Sequence, residues 1–152
     1  MTPDDLELVR ADTAHVAAHA DGFTETFYRT VFDLAPSVRS MFPDDLSDQR
    51  RKLLAELAAL IDSATALGGS EPHGFVGRAQ ALGRRHSSYG VVGDHYAVVG
   101  TALIAALADT VPDWNEHRER TWATLYRLVA DTMRSGATAA TPPDGADIAY
   151  KR

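Results

Sequence analysis

His86 closes a helical stripe that is otherwise apolar. Phe75, Ala79, Leu82 and His86 recur every three or four residues. A helix turning about 100° per residue places them on one face. Arg78, Gln80, Arg84 and Arg85 fall mostly on other faces. A ring nitrogen turned into a core needs a partner, either a hydrogen bond or a metal ion. The stripe alone is compatible with both a satisfied core histidine and a ligand.

The other chemical candidates are poorer. His15 and His19 stand four apart, as helical metal-ligand pairs do, but no third ligand is near and the glutamate of an HExxH motif is missing. They read as surface, as do His73, His95 and His117. No GxSxG occurs, and Ser87-Ser88 has no base at a recognisable spacing. Gly68-Gly69-Ser70 lacks the lysine of a phosphate-binding loop. The carboxylates are scattered over polar faces without an acid/base pair.

The elements that must position His86 are helical. The chain has 152 residues, 45% of them hydrophobic, which is one domain's worth with material for a sizeable core. A net charge of −6 argues against a general nucleic-acid-binding surface. The absence of cysteine excludes disulfides and thiolate chemistry. The start, Met1-Thr2-Pro3-Asp4-Asp5, is acidic, and no uninterrupted apolar run approaches membrane-spanning length. The expectation is a cytoplasmic protein that contacts neither nucleic acid nor membrane.

Thr2 reads as a cap with Pro3 in the first turn and acids behind it. Leu6, Val9, Thr13, Val16 and Ala20 follow at helical spacing, and Asp21-Gly22 reads as a break. Phe23, Phe27, Val31 and Leu34 form a second stripe, ended by Ala35-Pro36. A short helical turn leads to Met41-Phe42-Pro43. Ser47 then caps a segment carrying Leu53, Leu54, Leu57, Leu60 and Ile61, which stops near Gly68-Gly69. Ser70 to Gly74 is a loop, and the His86 segment ends around Tyr89-Gly90. Gly93-Asp94 opens a long apolar helix with Gly100 inside it, ended by Pro112-Asp113. Asp113 to Glu116 resembles a capping box for a last helix with Trp122, Leu125, Val129 and Met133. Beyond Gly136 the composition is that of a flexible tail or linker. The domain expectation is a packed unit over 1–136 and a tail over 137–152. Six to seven helices with short connections leave a compact bundle and a globin-type packing as the leading architectures.

An ordered set surrounds His86. Phe27-Tyr28 precedes Pro36, and Phe42 stands fourteen residues after Tyr28. Gln49 follows, with Leu53 one turn on, and Tyr96 stands ten residues after His86. Across roughly residues 3–136 this resembles the bacterial globins, in particular the haem domain of flavohaemoglobins and the single-domain haemoglobins related to it. The matching stretches are Thr26-Phe27-Tyr28, Ala35-Pro36, Met41-Phe42, Asp48-Gln49-Arg50 with Leu53, Arg85-His86-Ser87 and Tyr96 to Gly100.

The resemblance implies an all-α globin fold of six to seven helices and a haem b cofactor, iron protoporphyrin IX. It implies His86 as the proximal iron ligand and Phe42 packed on the porphyrin. Tyr28 and Gln49 would be the donors on the distal, gas-binding face, with Lys52 the alternative to Gln49 in an ungapped alignment. Leu53 would wall the pocket, and Tyr96 would stand near His86. Two departures accompany it. The glutamate of the last flavohaemoglobin helix corresponds to Ala137, and the flavin- and nicotinamide-binding domain is not found in these 152 residues, which are expected to be either a stand-alone globin or a fragment of a longer protein. The function implied is binding of dioxygen, and of nitric oxide or carbon monoxide, for storage, delivery or sensing, in a monomer or homodimer. The alternative is a nitric oxide dioxygenase served by a separate reductase.

Overall fold

The computed structural model describes residues 1–65 and 74–139. Among them are six α-helices and one short 3-10 helix. They are α1 (Pro3–Ala18), α2 (Ala20–Leu34), the 3-10 turn (Pro36–Met41), α3 (Ser47–Thr65), α4 (Phe75–Ser88), α5 (Gly93–Thr110) and α6 (Glu116–Ala139). The all-helical expectation holds. No single helix among the described residues is long and apolar enough to cross a membrane. The expected end of α3 at Gly68-Gly69, the Ser70–His73 part of the loop and residues 140–152 lie outside the described residues.

Helix boundaries follow local chemistry, with three corrections. Thr2 caps α1 as expected, and Asp5 completes a capping box with it: the Asp5 N–H donates to Thr2 Oγ1 and the Thr2 N–H to Asp5 Oδ2. The first break falls at His19, not at Asp21-Gly22, and Gly22 continues inside α2. A lone glycine costs a helix only about 1 kcal/mol, less than the burial of Phe23 one residue on returns. At α3 the capping oxygen comes from Asp45, whose Oδ1 accepts both the N–H and the hydroxyl of Ser47. At α6 the cap is Asn115, whose Oδ1 accepts the Arg118 N–H. Asp113 instead adopts the left-handed conformation (φ 56°) that turns the chain into the helix.

The core has two parts. The larger is built by α1, α2 and α5, and the N-terminal half of α6 joins it through Trp122 and Leu125. The smaller is built by α4 and α6, with Leu60 of α3 and Tyr96 of α5. Ala64, Tyr126 and Val129 border both parts. Helix α2 packs along α5, and α4 packs along α6. Asp12 is a buried charge in the larger part, and it is answered: it accepts from Trp122 Nε1 at 3.0 Å and from Arg118 Nε at 3.2 Å. That network ties α1 to α6. Helix α6 runs to Ala139, three residues past the Gly136 at which composition placed the end of the packed unit.

Candidate functional site

On α4 the stripe is as the spacing predicts. Phe75, Ala79 and Leu82 are buried, and His86 is half-buried at its end. His86 Nδ1 lies 2.9 Å from the carbonyl oxygen of Leu82, one turn earlier. A carbonyl only accepts, so Nδ1 carries the proton. Burial, the largest influence, holds the ring's pKa below the ordinary histidine value, and the Arg85 charge adds to this. The Leu82 hydrogen bond and Glu56 oppose it. The imidazole is therefore neutral at pH 7, and its lone pair is on Nε2.

Tyr28 belongs to the larger part of the core. It is 3% exposed, its ring lies edge-on to Phe42 at 5.8 Å, and its hydroxyl donates to the Gln49 backbone carbonyl at 3.4 Å. Burial pushes its pKa up to about 12. Phe42 also meets Phe32 edge-on at 5.5 Å. Gln49 sits half-buried in the first turn of α3, whereas Lys52 is exposed. Leu53 is half-buried against the same core. The structure thus brings Tyr28, Phe42, Gln49 and Leu53 together, Gln49 through its carbonyl.

Tyr96 belongs to the other part of the core, with Leu82. Burial raises its pKa, and the Arg134 guanidinium, 4.5 Å above its ring, counteracts that shift. Its carbonyl accepts the Tyr126 hydroxyl at 2.6 Å. Gly100, one turn on, makes room: a Cβ there would stand 2.7 Å from the Tyr126 ring. His86 and Tyr96 are thus on the α4–α6 side, and Tyr28, Phe42, Gln49 and Leu53 on the α2–α3 side.

Sequence reasoning missed Arg39, Arg134 and the bracing role of Tyr126. Arg39 lies over the Phe32 ring at 5.0 Å and donates to the carbonyls of Phe42, Pro43 and Asp44, which holds the Phe42 segment in place. An arginine between two prolines is the only local sign of it.

The remaining histidines do not converge. His15 and His19 stack at 4.3 Å, with His19 Nδ1 on the His15 carbonyl. His95 Nδ1 accepts the Val92 N–H, and His117 pairs with Asp5 at 3.3 Å. His73 lies outside the described residues. No cluster of three or more metal-ligating side chains occurs among the described residues. Two surface depressions, of about 460 and 640 Å³, lie along α1 and include none of the site residues.

The globin family profile matches residues 25–133, which takes in Tyr28, Phe42, Gln49, Leu53, His86 and Tyr96. This chain belongs to the globin family. Among curated relatives, the flavohemoprotein of Deinococcus radiodurans is 32% identical over 140 residues, covering 88% of this chain and 33% of that protein. The flavohemoprotein of Chromobacterium violaceum is 28% identical over 127 residues, covering 83% and 31%. That of Bacillus subtilis is 23% identical over 129 residues, covering 84% and 32%. The chain spans about a third of the length of these relatives. As a globin it takes haem as its cofactor and binds gases. The donor chemistry fits that group. A neutral imidazole with its lone pair on Nε2 can ligate iron, and the aromatic and aliphatic surface of Phe42, Leu53 and Leu82 suits a porphyrin.

Proposed function

We propose that His86 holds haem b through Nε2 and that the opposite face of the haem binds dioxygen, nitric oxide or carbon monoxide for storage, delivery or sensing. The observation that carries this reading is the His86 imidazole itself. Its Nδ1 is committed to the Leu82 carbonyl, which fixes the tautomer and aims the ring. The iron supplies the gas-binding centre. Phe42 and Leu53 provide apolar walls that exclude water. The buried Tyr28 hydroxyl, held neutral by its raised pKa, is a proton donor available to a gas ligand once it leaves the long contact to Gln49. The Gln49 side chain is the second candidate donor.

Purified protein should show an intense Soret band, and His86→Ala should lose or scramble it. A colourless protein that cannot take up added haemin would sink this reading.

Nitric oxide dioxygenation is the second reading, favoured by the similarity to flavohemoproteins together with the Tyr28 donor. It needs a reductase to return the iron to the ferrous state. Sustained conversion of nitric oxide to nitrate with such a reductase would establish it, whereas a single turnover of the oxygenated protein would not.

A further inference from the structure

Helices α4 and α6 touch backbone to backbone. A Cβ built on Gly83 would overlap the Met133 carbonyl and come within 2.7 Å of the Met133 Cα. The contact is reciprocal: a Cβ on Gly136 would overlap the Gln80 carbonyl and come within 2.6 Å of the Gln80 Cα. Gln80 and Gly83 are one turn of α4, and Met133 and Gly136 are one turn of α6. Each helix thus places a glycine on the other's backbone. Neither glycine has a positive φ, so close approach, not conformation, is what these positions require.

The next turn of α4 carries His86, and Leu82, which holds its Nδ1, is the neighbour of Gly83. Any displacement of α4 at Gly83 therefore carries the imidazole and its hydrogen-bond acceptor together. Helix α6 also holds Tyr96, through the Tyr126 hydroxyl and the Arg134 guanidinium. It is the common reference for that whole side of the site.

We propose that Gly83 and Gly136 are positioning residues for the proximal ligand. Their contact sets how far His86 Nε2 reaches toward the haem iron and, through that bond, the gas affinity. The proposal rests on the haem reading above. Ordinary carbon contacts lie at about 3.5 Å, so a methyl group at either glycine must move α4 relative to α6 by on the order of 1 Å. A close-packed interior passes such a shift on to its neighbours.

The test is resonance Raman of the ferrous holoprotein, read at the iron–histidine stretch, with dioxygen affinity measured alongside. Gly83→Ala and Gly136→Ala should both shift the frequency and the affinity. Gly22→Ala, where an added Cβ meets nothing within 4 Å, should leave both at the wild-type value. In a His86→Gly background with imidazole supplied in solution, the ligand is no longer tied to α4. There the Gly83→Ala shift should disappear. Wild-type frequency and affinity in haem-loaded Gly83→Ala and Gly136→Ala, or a shift that persists with free imidazole, would overturn the proposal. Should Gly83→Ala fail to fold, Gly136→Ala carries the same comparison, because it sits in the last turn of α6, where a helix splays most readily. The wild-type Soret band separates failure of this proposal from failure of the haem reading.

Discussion

Replacing Tyr28 by phenylalanine separates the two jobs its hydroxyl could do. In this structure the hydroxyl donates to the Gln49 carbonyl at 3.4 Å, the outer limit of a hydrogen bond. A typical neutral bond is worth about 0.5–1.5 kcal/mol net, and one this long belongs at the low end. The ring's contacts with Phe27, Phe32 and Phe42 survive the substitution. Folding stability should therefore change by less than about 1 kcal/mol. The effect on a gas ligand is larger. A hydrogen bond to a partner bearing charge contributes about 1.5–3 kcal/mol, and about 1.4 kcal/mol corresponds to tenfold. Dioxygen release from Tyr28→Phe should then accelerate roughly ten- to a hundredfold. Carbon monoxide develops little charge, and its release should barely change. Stopped-flow displacement of dioxygen by carbon monoxide gives the first rate, and displacement of carbon monoxide by nitric oxide gives the second. An unchanged dioxygen rate in a protein with a normal Soret band would show that Tyr28 stays on the Gln49 carbonyl. Equal acceleration for both gases would make its role steric.

Three further outcomes follow from the same geometry. Tyr28 is pushed up to about 12 by burial. The folded state favours the neutral phenol, so its contribution is full below about pH 10, the unfolded value, and is lost as pH rises through 12. Two units amount to on the order of 3 kcal/mol, so urea unfolding between pH 9 and 12 should show wild type, nearly equal to Tyr28→Phe at pH 9, falling progressively below it, because the variant has no phenol to ionise. Asp12→Ala leaves the Arg118 guanidinium and the Trp122 N–H without their buried acceptor and should cost about 3–5 kcal/mol, with Asp12→Asn costing less; urea midpoints that match wild type would refute the network's role. Arg134→Gln removes the cation over Tyr96 and should move that phenol's titration further up, read as the tyrosinate absorbance that Tyr96→Phe abolishes.

The helices were legible because apolar spacing and caps are local. The Thr2–Asp5 capping box is written within four residues, and the Phe75–Ala79–Leu82–His86 stripe within twelve. The misplacements came where two neighbouring residues could do one job. Asp113 and Asn115 can both cap a helix, and the left-handed turn at Asp113 decides between them. The stripe marked His86 as exceptional but left its partner open, and only the resemblance gathered Tyr28, Phe42, Gln49, Leu53 and Tyr96 around it. Gly83 and Gly136 were illegible for another reason. A glycine inside a helix reads as a defect until the backbone that needs the space is seen, and that backbone lies about fifty residues away in the chain.

The surroundings of His86 bear on which chemistry its haem would favour. A carboxylate accepting from Nδ1 pulls the proton and makes the imidazole a stronger electron donor to iron, while a backbone carbonyl does so far less. Here the acceptor is the Leu82 carbonyl. Ala137, at the position that corresponds to the flavohaemoglobin glutamate, has no ionisable group to offer. The carboxylate that does act on His86 is Glu56 of α3, and its charge is answered by Arg85 at 3.2 Å and Arg78 at 4.0 Å. Nearby, Tyr96 lies under a cation, Arg134. A neutral imidazole whose Nδ1 is on a carbonyl would give iron a weakly donating ligand. That suits reversible gas binding better than chemistry that must drive electrons onto the bound gas, which is why binding stands ahead of dioxygenation as the reading of this site.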